Sequence, residues 1–269
     1  IAAFNGILRE VPESQTVFWT DADGAPLDAA SVVGADYRLY GPRDMREDMT
    51  ALCEASGADP SSAGRIGRRG TILFTSAKLG SLTLPGDASP VDMFLNLSTS
   101  VDGSMRTAAS FSAIRVVCWN TLSATFADAT KVRHTSGHTV KLGSALEAIA
   151  GAAGFADAFR IQHEKLAVKR ISRDLAAKIV GDLYPGDSKR RANQRDDIMS
   201  RFMGSAVGAD GTDVATAWAL LQALTEYDQH DTPMRVEAGR DPNMLRMEHV
   251  VSGDAADYAA KVTSMLLAA

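Results

Sequence analysis

MRTAASFSAIRVVCWNTLSATFADATKVRHTSGH, residues Met105 to His138, passes from a strand pattern to a helix pattern and then to a basic, histidine-bearing segment. Serine and alanine alternate with larger side chains up to Phe111, the period of two that marks a strand. Val116, Val117, Leu122 and Phe126 then recur at spacings that suit one side of a helix. The reading therefore predicts a strand that feeds a helix without a long loop. Around the junction sit Arg115, Cys118, Trp119, Asn120, Arg133 and His134, a dense set of polar and reactive groups in an otherwise apolar segment.

Upstream of this stretch, Asp102-Gly103 is a hairpin signal, and Asp92 to Thr99 and Thr71 to Ala77 read as two further strands. Strand, strand, hairpin, strand, helix describes a curved antiparallel β-sheet with a helix packed on one face, a β-β-β-α core in an α+β fold. Earlier still, TVFW and DYRLY are short strand-like pieces, and Arg43 to Ala55 turns helical, with Met45, Met49, Leu52 and Cys53 on one side. Beyond Gly137 the text is helical: Val140 to Ala153, Phe155 to Val168, and Ser172 to Tyr184 with Ser172 as N-cap. Asp196 to Met203 follows, and then Val214 to Tyr227, the clearest amphipathic pattern. The expected organisation is an N-terminal mixed α/β segment at 1–60, a sheet-plus-helix core at 61–138 and a mainly helical part at 139–269, packed as one domain.

With 269 residues and 45% hydrophobic side chains, the chain can bury a proper core without staples. Cys53 and Cys118 lie in unlike contexts without CxxC spacing, which argues against a disulfide framework and for a reducing, cytoplasmic setting. No apolar run reaches the roughly 20 residues needed to span a bilayer, so no membrane partner is expected. The net charge of -5 is unevenly placed. Residues 1–60 carry 4 basic and 11 acidic side chains, 61–204 carry 20 and 12, and 205–269 carry 4 and 10. A basic centre between acidic wings suits a phosphate backbone, while the same charges meeting as solvated ion pairs is the ordinary alternative.

Three basic clusters carry the functional reading. Arg65, Arg68 and Arg69 fall between glycines, where flexible backbone lets guanidinium groups reach phosphates. Lys131, Arg133 and His134, with Lys141, form a second cluster, and Lys189, Arg190, Arg191 and Arg195 a third. If all three line one groove, about four to six phosphates are neutralised per subunit. Trp119 is the base-stacking candidate, with the core as its ordinary place. Asn120 reads as a structural tie, and Arg115 stands between a network and a phosphate contact. Cys118 reads as a core thiol, since no base or oxyanion signature accompanies it. His134 and His138 have HxxxH spacing, but Gly137 opposes the helix that would aim both at one metal; His230, Asp231 and Asp228 could add ligands in a metal-dependent nuclease. No P-loop or dinucleotide fingerprint is present, so no cofactor is expected.

The STSVDGS turn at Ser98 to Ser104, RVVCWNTL at Arg115 to Leu122, the following KVRHTSG, LYPGDSKRRANQRDDI and the TAWALLQALTEYDQHD block at Thr216 to Asp231 resemble the phage and plasmid-like proteins of domain-of-unknown-function family 932. The resemblance implies a mobile-element setting and leaves the activity open. By element order alone, the core is also similar to the single-strand annealing proteins, which include the phage recombinases of the RecT, Erf and lambda Bet types. That likeness implies a ring or helical homo-oligomer holding single-stranded DNA along a cationic groove without nucleotide hydrolysis. The expectation is a single-stranded DNA-binding and annealing protein; the alternatives are a metal-dependent nuclease or hydrolase, or a non-catalytic structural or host-interaction protein.

Overall fold

A computed structural model describes residues 2–4, 7–9, 12–83, 89–115, 120–122, 130–139, 141–143, 146, 155–205, 215–233 and 241–269. The fold is α+β with antiparallel sheets and a helical C-terminal half. In chain order, β1 (Ala2–Phe4) pairs with β2 (Ile7–Arg9), and β3 (Ser14–Thr20) with β4 (Pro26–Gly34). Helix α1 (Pro42–Ser56) follows, then β5 (Asp59–Ile66), β6 (Ile72–Leu82), β7 (Val91–Ser100), β8 (Thr107–Arg115), β9 (Asn120–Leu122) and β10 (Thr130–Val132). The main sheet runs in the order β10-β8-β7-β6-β5, and β9 pairs with β8 at Ala113–Arg115.

Local chemistry accounts for these elements. Pro42 opens α1 with φ already set, the Asp44 carboxylate accepts the Gly41 amide at 2.8 Å, and Gly57 ends the helix at φ 71. Met45, Met49 and Leu52 are its buried face, as their spacing predicts. The β7–β8 connection turns on Gly103 at φ 75, with Asp102 accepting the Ser104 amide at 2.9 Å. Strand β5 escapes periodicity because it ends the sheet order and every side chain before Ile66 is exposed.

One expectation is corrected. The helix expected from Val116 is not formed at 120–122, where β9 pairs Asn120 with Arg115, Thr121 with Ile114 and Leu122 with Ala113. Thr121 is β-branched and suits extended backbone, and the side of β8 away from β7 offers N–H and C=O groups that a returning strand satisfies. The rest of that stretch, 116–119 and 123–129, lies outside the described residues, as does most of the Val140–Ala153 helix.

The chain divides into two compact units: residues 1–77, 95–110 and 129–151, and residues 78–94, 111–128 and 152–269. The second holds α2 (Phe155–Val168), α3 (Arg173–Leu183), α4 (Lys189–Ser200), α5 (Ala217–Glu226), α6 (Pro242–Val251) and α7 (Asp254–Ala268). Side-chain caps begin four of them: Ser172 accepts from Leu175, Ser188 from Arg191, Thr216 from Ala219 and Asp241 from Asn243. Every residue of α5 is buried, against α2, α4, α7 and β9. What reads as an amphipathic pattern is therefore a helix enclosed on all sides. No helix among the described residues is long and apolar enough to cross a membrane.

Candidate nucleic-acid interface

In the first unit, hydrogen bonding brings several loops to one end of the sheet. Val132 of β10 lies opposite Thr107, the first residue of β8; Thr107 and Thr99 share a hydrogen bond of 3.0 Å; and Val101 donates to the Thr71 carbonyl at 2.8 Å. The β5–β6 turn, the Val101–Arg106 loop and Arg133–Thr135 therefore lie side by side. The β3–β4 hairpin and its exit are tied across this end. Trp19 Nε1 donates to Arg69 O at 3.0 Å, Ser31 to Val101 O at 2.6 Å and Tyr37 to Ser100 O at 2.6 Å. The Arg38 amide donates to His134 O at 3.2 Å.

The β5–β6 turn, GRIGRRG from Gly64 to Gly70, is shaped by its glycines. Gly67 and Gly70 adopt φ of 82 and 66, and a Cβ on Gly70 would stand 2.9 Å from Arg65 Cδ. A Cβ on Gly64 would meet the Phe74 ring at 2.9 Å. Arg65, Arg68 and Arg69 are all exposed, and the Arg65 guanidinium lies over the Trp19 ring, 4.8 Å from its centroid. Thr71 anchors the turn by donating to Asp102 at 2.6 Å. Burial opposes ionisation of Asp102, but the bonds from Ser104 and Thr71 outweigh it and hold the carboxyl below its usual range.

Of the second cluster, Lys131 and Arg133 are exposed, while His134 is buried, with 8% of its surface accessible. Its ring stacks on Tyr37 at 4.6 Å on one contact and on His138 at 5.0 Å on another, and His138 in turn meets Tyr40 at 5.2 Å. The Arg38 carbonyl lies 2.9 Å from Nδ1, which makes Nδ1 the protonated nitrogen, and Nε2 accepts from Thr99 at 3.2 Å. Burial depresses the pKa of both histidines, for His138 with the neighbouring His134 adding to it, so the rings are neutral. His134 thus holds the loop beneath the arginines and is not placed to contact phosphate. Among the described residues, no group of three or more His, Cys, Asp and Glu could hold a metal ion. Asp228 is bonded to His249 at 2.8 Å and Asp231 to Arg201 at 3.0 Å.

The third cluster belongs to the second unit. Lys189 and Arg190 are exposed in the first turn of α4. Arg191 donates to Gln194 at 2.8 Å, and Arg195 to the Tyr184 and Gly186 carbonyls at 2.9 and 2.7 Å, so Arg195 fixes the loop before its own helix. The Arg115 side chain and Trp119 lie outside the described residues.

Three residues of the sheet end escaped sequence reading. Exposed Arg106 sits in the loop between the first two clusters, exposed Arg38 is bonded through its backbone to His134, and Trp19 is the aromatic partner of Arg65. The hairpin signal at Asp102-Gly103 could have located Arg106, whereas nothing local marks Trp19, whose partner lies 46 positions away.

Fold and site together define an α+β protein whose main sheet presents a row of exposed arginines at one end. The chain belongs to the family described as a domain of unknown function (DUF932), whose model matches residues 29–251. No curated protein and no solved structure shows a significant match to it.

Proposed function

We propose that this protein binds single-stranded DNA through the sheet end of its first unit and promotes annealing of complementary strands as a homo-oligomer, without nucleotide hydrolysis. The observation that supports this reading most is the row formed by Arg38, Arg65, Arg68, Arg69, Arg106 and Arg133, all exposed on neighbouring loops. Guanidinium groups on adjacent loops offer several phosphate contacts and leave bases free for a second strand. A phage or plasmid setting in the cytoplasm suits such an activity.

Electrophoretic shift with single- and double-stranded oligonucleotides at two salt concentrations, run beside size-exclusion chromatography, tests the reading. The expected result is preference for the single strand, a large assembly, and a slope of log affinity on log salt of about -3 to -4, as about four to six neutralised phosphates require. A monomer that ignores both oligonucleotides at low salt overturns it.

A further inference from the structure

We infer that Trp19 and Arg65 form a stacking platform for one unstacked nucleobase, an inference that rests on the nucleic-acid reading above and assigns part of that site to bases instead of phosphates. The Arg65 side chain is held on two sides. Its guanidinium lies on the indole, 4.8 Å from the ring centroid, and its Cδ and Cγ run past Gly70 so closely that a Cβ there would stand at 2.9 and 3.2 Å. The indole is itself fixed, since Nε1 donates to Arg69 O at 3.0 Å. A surface arginine ordinarily samples many rotamers, whereas this one has the indole and the Gly70 backbone as neighbours that favour one placement.

Yet Arg65 remains exposed, and among the described residues it makes no hydrogen bond or ion pair. A planar cation laid on an aromatic ring, with its N–H donors unspent, offers a flat face in addition to charge and donors. It is the arrangement that stacks a flat π-face on a guanidinium plane and offers edge donors to the adjoining backbone. Bases inside a duplex have both faces covered, so the ligand class is a single strand with an unstacked base.

Replacing Arg65 by lysine keeps the charge and removes the plane. Fluorescence anisotropy of the full chain, with a labelled single-stranded oligothymidylate and with an abasic strand of equal length, separates the two roles. R65K is expected to weaken oligothymidylate binding about five- to tenfold without changing the salt slope, and to leave the abasic strand within about twofold of wild type; R173K, at an exposed arginine of α3 outside the arginine row, changes neither by more than about twofold. Equal binding of oligothymidylate by R65K and wild type overturns the platform while leaving the phosphate row in place. Equal loss on both strands also overturns it and makes Arg65 a phosphate contact. Failure of wild type to bind either strand sinks the underlying reading instead. Thermal melting of R65K at the wild-type temperature shows that the fold is intact, since no buried group is altered.

Discussion

His134 shows how one side chain can carry a basic signature and a core function. In sequence it follows Lys131 and Arg133; in the structure its ring is stacked between Tyr37 and His138, and His138 meets Tyr40, whose OH donates to Asp48 at 2.6 Å. The column is built for neutral imidazoles: at His138 burial and the neighbouring His134 outweigh the attraction of Asp48 and Asp44. Both histidines have folded pKa values below the 6.5 of the unfolded chain, so the unfolded state binds more protons in the window just below 6.5. Their contribution to stability is fully present above that pH and declines as acidity passes down through the folded values. His249 has the opposite sign: its bond to Asp228 raises its pKa, so its contribution is present below 6.5 and is lost as pH rises through the folded value. Denaturant titrations from pH 8 to 5 are expected to show acid loss in wild type, a shallower loss in H134N/H138N, and a steeper one in H249N. An unchanged acid limb in the double variant refutes the assignment.

Among elements, the C-terminal end of α5 holds a buried carboxylate at Glu226. Arg201 pairs with Glu226, which is 3% exposed, and with Asp231 at 3.0 Å, and it lies near the Tyr227 ring. The TEYDQHD text reads as a source of metal ligands, but its carboxylates are taken by Arg201 and His249. Removing one partner leaves a buried charge, so R201M is expected to cost about 3–5 kcal/mol in urea unfolding, and R201M/E226Q less than R201M alone. A loss under about 1 kcal/mol in R201M contradicts the buried pair. The β3–β4 hairpin behaves differently. From Pro12 to Asp36 it carries Glu13, Asp21, Asp23, Asp28 and Asp36 and no Lys or Arg, beside the arginine row. Under the proposed function these carboxylates repel phosphate, so D28N/D36N should tighten single-strand binding about two- to threefold at low salt and hardly at all near 1 M, where screening shortens to about 3 Å. No tightening at low salt argues against the sheet end as the DNA surface.

For the whole molecule, the division of charge along the chain has a partial spatial counterpart. Arg38, Arg65, Arg68, Arg69, Arg106 and Arg133 gather at one end of the first unit, and the basic residues of α4 belong to the second. Strand β7 was legible because it alternates buried and less buried side chains from Val91 to Asn96, and Ser172 as N-cap was legible because its hydroxyl acts within three residues. Strand β5 was hidden by full exposure, and β9 by apolar spacings that a helix and a short returning strand share.

By itself, the order of residues determined the α+β class, the antiparallel hairpins, the helix caps and the three basic clusters, since each depends on neighbours a few positions apart. Tertiary structure alone decided that Arg106 and Arg38 join the β5–β6 arginines, that Trp19 underlies Arg65, and that His134 turns inward. Those outcomes depend on strand order and on contacts between residues tens of positions apart, which local periodicity does not encode.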